Sequence, residues 1–442
     1  MSKSNAVSSD TIFALSSAPG RAGVSVFRVS GEGADGVLAA LTGTALPSPR
    51  MAVTRKLLRG GELIDQALVV RMPGPGSFTG EDVVEIMVHG SPAVVEAVAG
   101  AMLATGARQA APGEFTRRAF LNGQMDLMEA EGLADLIDAD TEAQRVQAVR
   151  QMEGGLSDRA AGWKEAVLDA LAQVEGEIDF PDEADVPDRL SREAGPGLSA
   201  LMEGLRGALA GFGRGERVRE GLRIAVIGAP NAGKSSLINW LAGREAAIVS
   251  DIPGTTRDVV EVQLVLAGLP VRVADTAGLR EAVDAVEVEG VRRARLEAES
   301  ADIRVLVVDG TAPSEEGRQA LREGDLVVVN KSDCVGPALH TGDLAVSVKT
   351  GEGLDALLAW LEGEVAERFS PGRDAGLTRA RHRDCVERAL AALKRGAARL
   401  DDAPELSGED LRAALLAMEE LSGRADMDAV LDRVFSRFCI GK

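Results

Sequence analysis

Three cysteines and three histidines are all that 442 residues offer a soft metal or a disulfide framework. Cys334, Cys385 and Cys439 lie far apart, form no C-x-x-C pair, and have only His382 near Cys385 as a nitrogen neighbour. This argues against a zinc site and a disulfide scaffold, and agrees with a reducing compartment. Long apolar runs are missing as well. No stretch approaches the length needed to span a bilayer, and the opening MSKSNAVSSD lacks the apolar core of a signal peptide, so a cytoplasmic protein without membrane contact is expected. Basic residues are scarce: 49 Lys and Arg stand against 69 Asp and Glu, a net charge of −20. Such a balance favours solubility and argues against a surface that coats nucleic acid throughout. Any RNA must be held by a local patch or by a partner. There is no internal repeat and no low-complexity tract, and the length predicts two to four domains.

What the chain does contain is organised around RIAVIGAPNAGKSSLIN, from Arg223 to Asn239. Ile224 to Ile227 form an apolar run stopped by Gly228, the spacing from Gly228 to Ser235 is G-x-x-x-x-G-K-S, and an amphipathic helix opens at Lys234. That order is the context a phosphate-binding loop requires. Asn231, Ala232, Gly233, Lys234, Ser235 and Ser236 would surround the phosphates, with backbone N–H groups and a helix N-terminus facing the negative charge. Lys234 would reach the β and γ phosphates and Ser235 would give its hydroxyl to Mg²⁺.

Along the chain, residues 11 to 30 predict two strands joined by a turn at Pro19 to Gly23. Strands at Leu68 to Met72 and Val83 to His89 and a helix from Pro92 to about Thr105 complete a small mixed α/β region ending near Phe120. Asp126 to Gln151 reads as one or two long helices, with Trp163 to Ile178 and Leu198 to Phe212 continuing the pattern around the acidic loop FPDEADVPDRL. That loop reads as a solvated connection rather than a metal site. Gly211, Gly213, Gly215 and Gly221 suggest a flexible boundary, and SPGRDAG from Ser370 to Gly376 suggests a second. Between them, Val259 to Leu266 and Val271 to Ala274 predict a hairpin about the turn Ala267 to Pro270. Ile303 to Val308, Leu326 to Val329 and Leu344 to Val348 are short apolar strands separated by helical patterns, which implies a mostly parallel sheet covered on both faces. Thr378 to Phe438 is helical again, broken only near Pro404 and Gly408. The expected fold is multidomain, α/β plus all-α, with a nucleotide domain inserted into a helical one.

The nucleotide base is named downstream. Asn330-Lys331-Ser332-Asp333 and Ser347-Val348-Lys349 each follow an apolar strand and look like the guanine-reading motifs of small GTPases. The Asp333 carboxylate can accept hydrogen bonds from guanine N1–H and the 2-amino group, donors that adenine lacks there. Asp275-Thr276-Ala277-Gly278 ends a strand where the carboxylate can hold Mg²⁺ through water and Gly278 can face the γ-phosphate. Thr255 and Thr256 lie in a loop that would fold over the phosphates, one hydroxyl completing the Mg²⁺ shell. Leu279 follows, where many GTPases carry a glutamine that orients water. A leucine cannot do this. Arg280, Glu281, Asp284, Glu287 and Glu289 are the loop's candidates, and Arg257 and Arg280 stand either as fingers or as solvated side chains.

The phosphate loop with Asn231, the segment Ile252-Pro253-Gly254-Thr255-Thr256-Arg257-Asp258, DTAGLR, NKSD and the terminal Phe438-Cys439-Ile440-Gly441-Lys442 together resemble the MnmE (TrmE) family over the whole chain. The resemblance implies a tRNA-modification GTPase. Its domains would be an N-terminal tetrahydrofolate-binding and dimerisation domain at 1–120, a helical domain at 121–217 and 376–442, and an inserted GTPase domain at 218–375. It implies K⁺ in place of an arginine finger, held by Asn231, Ser250, Ile252 and Thr255, with Asp251, Pro253 and Gly254 in the same loop. Mg²⁺ would take Ser235 and Thr256, and the water-orienting glutamate would be Glu287. A one-carbon tetrahydrofolate would meet Arg28, Glu85, Gln124 and Lys442, while Cys439 reads as a packed tail thiol rather than a nucleophile. The family also implies a homodimer and a heterotetramer with an MnmG-like flavoprotein that carries the FAD, together modifying C5 of a tRNA wobble uridine. The rival reading is a regulatory or ribosome-assembly GTPase without modification activity.

Overall fold

A computed structural model describes residues 10–179, 190–244, 261–275, 298–335, 344–369, 376–423, 428–436, 438 and 441. Contacts divide the chain into two compact units: residues 1–134, 151–202 and 385–442 in one, and 135–150 and 203–384 in the other.

The first unit holds a six-stranded sheet built from β1 (Ile12–Leu15), β2 (Ala22–Ser30), β3 (Val53–Arg59), β4 (Glu62–Met72), β5 (Val83–Gly90) and β6 (Arg108–Gln109), in the order β3-β4-β5-β2-β1-β6. β1 and β2 pair antiparallel, Ala14 opposite Arg28, and β2 pairs with β5 so that Arg28 faces Glu85. Alternation along β2 sends Phe27 and Val29 to one face, where they meet helices α1 (Ala34–Thr42) and α2 (Pro92–Ala104) in a continuous apolar core. Ser91 caps α2, its Oγ accepting the Val94 N–H at 3.2 Å, and Pro92 occupies the first turn where no donor is needed. The opposite face carries Ile12, Ala14, Ala110 and Phe115, the last from α3 (Glu114–Leu121), with Phe78 against them.

Helices follow: α4 (Leu127–Ile137), α5 (Glu142–Met152), α6 (Gly155–Asp179) and α7 (Leu190–Glu220). The predicted run from Asp126 to Gln151 is therefore two helices, the first opened by a capping box in which Asp126 and Glu129 exchange hydrogen bonds at 2.7 and 2.9 Å. Gly211, Gly213 and Gly215, expected at a flexible boundary, lie inside α7, and the helix ends only at Gly221 with φ 85°. Gly215 is small for a packing reason, since a Cβ there would sit 2.5 Å from the Leu377 carbonyl.

The second unit carries a sheet of β7 (Leu222–Ile227), β8 (Glu261–Leu266), β9 (Leu269–Asp275), β10 (Ile303–Asp309), β11 (Leu326–Asn330) and β12 (Leu344–Ala345), ordered β12-β11-β10-β7-β9-β8. All pairs are parallel except β8 with β9. Residues of β7 feed both faces, Ile224 and Val226 into one core and Ala225 and Ile227 into the other, which is why the strand reads as an unbroken apolar run. The hairpin turn is two residues, Ala267 (φ 50°) and Gly268 (φ 78°), rather than the predicted four, and Pro270 lies within β9. The proline is tolerated because β7 pairs with β9 only from Val271 onward. α8 (Lys234–Ala242) and α9 (Leu354–Phe369) pack on this sheet.

The last helices are α10 (Ala380–Arg399), α11 (Pro404–Ser422) and α12 (Asp428–Phe435). Pro404 opens α11 and Gly408 lies inside it, where a Cβ would make only ordinary contact with Val174 of α6 at 3.7 Å, so neither residue breaks the helix.

Candidate nucleotide and small-molecule sites

The phosphate loop leaves β7 at Gly228 and enters α8 at Gly233. Three of its residues have positive φ, Gly228 (139°), Asn231 (62°) and Gly233 (102°), so the chain coils tightly between strand and helix. Neither glycine can be enlarged: a Cβ on Gly228 would meet the Val307 carbonyl at 2.2 Å, and one on Gly233 would meet Asn330 Nδ2 at 2.1 Å. Gly233 caps α8 with no side-chain acceptor, which leaves that helix end suited to an anion. Lys234 is 5% exposed and its ammonium donates to the Gly228 and Ala229 carbonyls at 2.7 and 2.8 Å. Ala232 is buried, and Ser235 and Ser236 occupy the first turn.

Asn330 joins three elements. Its Nδ2 donates to the Ala232 carbonyl at 2.8 Å, its Oδ1 accepts the Val348 N–H at 3.2 Å, and it is only 4% exposed. Asp333 is positioned by Ser347, whose hydroxyl donates to Oδ1 at 2.7 Å and holds the carboxyl below the usual carboxylate range. The Ser347 Oγ in turn accepts the Thr350 N–H, and Lys349 stands in the same turn. The Asp275 backbone lies beside Val226 at the same end of the sheet. Thus the carboxyl ends of β7, β9, β11 and the turn after β12 converge, as ligand sites of parallel sheets do. Ser250, Asp251, Ile252, Pro253, Gly254, Thr255, Thr256, Thr276, Ala277, Gly278 and Glu287 lie outside the described residues, as does the side chain of Asp275. Lys331 meets Asp309, a residue that sequence reasoning missed; the signal that could have found it is an acid closing the otherwise apolar strand IRVLVVD.

In the other unit, Arg28 and Glu85 meet on adjacent strands. Arg28 Nε and Nη2 donate to Glu85 Oε1 at 3.0 and 2.9 Å, and the guanidinium stands 5.0 Å from the Phe78 ring and 5.8 Å from Phe115. Below them a buried network ties the wall together: Arg118, 3% exposed, pairs with Asp10, Glu81 and Glu114, and Ser30 Oγ shares short hydrogen bonds with Thr79 and Glu81. Gln124 lies against Gly80 of the same loop, 3.1 Å from where a Cβ would be, and Asn122 Nδ2 donates to the Thr79 carbonyl. The C-terminal tail docks beside this region. Ser16 Oγ donates to the Gly441 carbonyl at 3.0 Å, and Gly441 (φ 99°) would place a Cβ 2.3 Å from the Leu15 carbonyl. Lys442 and Cys439 lie outside the described residues. Phe78, Phe115 and Arg118 carry no local motif that could announce them.

With these geometries in hand, comparisons with known proteins give a consistent result. A model of the MnmE helical domain matches residues 127–439, and a model of the TrmE N-terminus, described as a GTP-binding protein, matches 11–124. The curated tRNA modification GTPase MnmE of Maricaulis maris is 56% identical over 98% of this chain and 99% of its own length. The chain belongs to the MnmE family. Another MnmE relative, from Caulobacter vibrioides, is 50% identical over 98% of this chain and all of its own length. Among solved structures, a point variant of Aquifex aeolicus Era bound to GDP·AlF4⁻ is 27% identical over 38% of this chain and 66% of its own, with a TM-score of 0.27, a likeness too slight to build on. The phosphate loop and the Asn330 and Ser347 turns meet at one end of the second unit's sheet. Among the described residues, no helix is long and apolar enough to cross a membrane.

Proposed function

We propose that this chain, a GTP hydrolase of the MnmE family that takes part in tRNA modification, couples K⁺-dependent hydrolysis to one-carbon transfer at C5 of a wobble uridine. The reading rests on one observation above the rest: Asn330 ties the phosphate loop to the Ser347 turn, so phosphate and base subsites are built as one piece. Lys234 would exchange its two loop carbonyls for phosphate oxygens, and Asp333, already ionised and braced by Ser347, would accept the guanine edge. Ser235 supplies a hard oxygen on the first turn of α8, which suits Mg²⁺, with Thr256 as its companion. The Asn231 amide stands in the loop at a left-handed φ; with Ser250, Ile252 and Thr255 it would hold K⁺, whose charge would offset that developing on the phosphates. Glu287 would orient water in place of the side chain that Leu279 cannot provide.

In the first unit, Arg28 and Glu85, with Phe78 and Phe115 beside the guanidinium, offer hydrogen-bonding groups and ring faces of the kind that a flat heteroaromatic ring with hydrogen-bonding edges, as in a tetrahydrofolate derivative, would use. Gln124 and the tail residue Lys442 would complete that contact. The remaining parts of the proposal are a homodimer, a flavoprotein partner of the MnmG kind carrying FAD, and a heterotetramer acting on tRNA in the cytoplasm. The net charge of −20 supports a division in which the partner supplies most of the basic surface. The test is nucleoside analysis of tRNA from a strain lacking this chain, alongside GTP turnover in K⁺ and in Na⁺. Loss of the carboxymethylaminomethyl-type wobble uridine and faster turnover in K⁺ are expected. Intact modification would move the function to ribosome assembly or regulation, and equal turnover would remove the cation.

A further inference from the structure

Asp309 ends β10 level with Asn330 at the end of β11, the two being register partners on adjacent parallel strands. Both of its oxygens are engaged. Oδ1 accepts the Thr311 N–H at 2.9 Å and the Thr311 hydroxyl at 2.7 Å, while Oδ2 accepts Lys331 Nζ at 2.5 Å. Burial pushes the carboxyl up, but the Lys331 ammonium and the two Thr311 donors outweigh it and bring it down to about 2. Gly310 keeps the two strand ends level: its N–H donates to the Asn330 carbonyl at 2.9 Å, and a Cβ there would stand 2.9 Å from that same oxygen.

Lys331 is held from both ends. Its backbone takes the left-handed φ of 65°, and its carbonyl accepts the Cys334 N–H at 2.9 Å, closing the short turn that carries Asp333. With its ammonium fixed at the end of β10, the four-carbon stem runs from one strand end to the next along the edge where phosphate loop and base-reading turn converge. A solvated lysine keeps rotamer entropy that a ligand lying on its stem would have to remove. Here that ordering is already done.

We propose that Asp309, braced by Thr311, is a positioning residue of the guanine site: it holds the Lys331 stem as a prepared shelf for the face of the base, while Asp333 reads the edge. The inference rests on the assignment of Asp333 to the guanine edge, and its test separates the two. A shelf contacts the ring face and is indifferent to substituents on the edge, so Asp309 governs how tightly any purine nucleotide is held and Asp333 governs which one.

The experiment measures binding and release of mant-labelled GDP, XDP and IDP by the full-length chain, in wild type, Asp309→Asn, Thr311→Val, Lys331→Met, Asp309→Asn with Lys331→Met, Thr311→Val with Lys331→Met, and Asp333→Asn. Asp309→Asn is expected to raise all three dissociation constants by about three- to tenfold, chiefly through faster release, with their ranking unchanged. Thr311→Val should give a smaller rise of the same uniform kind. In the Lys331→Met background, whose stem no longer has a charge to anchor, each substitution should add less than about twofold. The proposal is overturned if folded Asp309→Asn binds as wild type does, or if its effect persists undiminished without Lys331. Should Asp309→Asn not fold, Thr311→Val and its double variant decide by the same criteria. If Asp333→Asn leaves the preference for GDP over XDP intact, it is the base-edge assignment that fails, whatever Asp309 does.

Discussion

Asn330 uses one carboxamide to hold two loops, and its side chain is buried where water cannot replace either bond. Replacing it by alanine leaves the Ala232 carbonyl and the Val348 N–H without that partner and opens space beside Gly233. Two net hydrogen bonds are worth about 2 kcal/mol, with a further penalty for the groups left behind. Asn330→Ala should therefore lower the unfolding free energy of the second unit by about 2 kcal/mol and weaken nucleotide binding by more than tenfold. Urea unfolding followed by Trp240 or Trp360 emission, together with mant-GDP titration, measures both; weakened binding at unchanged stability would mean that the amide contacts nucleotide rather than bracing the loops. Residues of this kind are legible only in part from sequence. Asn330 and Asp333 sit in a contiguous tetrapeptide and are found at once. Asp309 works on Lys331 across 22 positions through the register of β10 and β11, and Phe78 reaches Arg28 across 50 from the loop between β4 and β5, so only the fold brings them together.

Among the elements, α5 is tied by two glutamine side chains to the end of α7. A capping box opens it: Gln144 N–H donates to Thr141 Oγ1 at 3.3 Å, and Gln144 Oε1 accepts the Thr141 N–H at 3.1 Å. The same glutamine turns its Nε2 to the Arg219 carbonyl at 3.1 Å, satisfying one of the orphan acceptors at the end of α7, and Gln147 Nε2 donates to the Gly215 carbonyl, one turn earlier, at 3.1 Å. This explains why residues 135–150, which continue a helical pattern in the sequence, cluster with the second unit. Thr141→Ala should cost about 1 kcal/mol, the usual worth of a cap, whereas Gln144→Ala loses the box and the tie to α7 together and should cost about 2 kcal/mol. Hydrogen exchange of the α5 amides reads the difference, and equal acceleration in both variants would assign no weight to the Arg219 contact. Periodicity locates α2, β7, α8 and the β8–β9 hairpin because strand, turn and helix signals there are adjacent. It passes over α1, β3 and α3. These are short elements, and β3 hides its alternation behind an irregular register between Leu57 and Leu58. Their order comes from the sheet, which β3 edges and the two helices cover.

At the scale of the whole molecule, each unit has its own core, and the proposed nucleotide and folate contacts fall in different units. The tail makes this testable. Gly441 seats against Leu15 and Ser16 at a φ and a clearance that no other residue tolerates, and it belongs to the unit of Arg28 and Glu85. Gly441→Val would need its side chain to occupy the space of the Leu15 carbonyl, so residue 441 should leave its seat on Leu15 and Ser16 while the rest of the unit stays folded. Affinity for a tetrahydrofolate derivative, measured by calorimetry on the full-length chain, should then fall by at least tenfold, while mant-GDP affinity changes by less than about twofold. Asn330→Ala should give the mirror image. Folate affinity that survives the loss of the tail would exclude Lys442 from that contact. A parallel fall in nucleotide affinity would mean that the sites are energetically coupled even without ligand in the other, and hydrolysis would then act on a linkage already present in the resting chain.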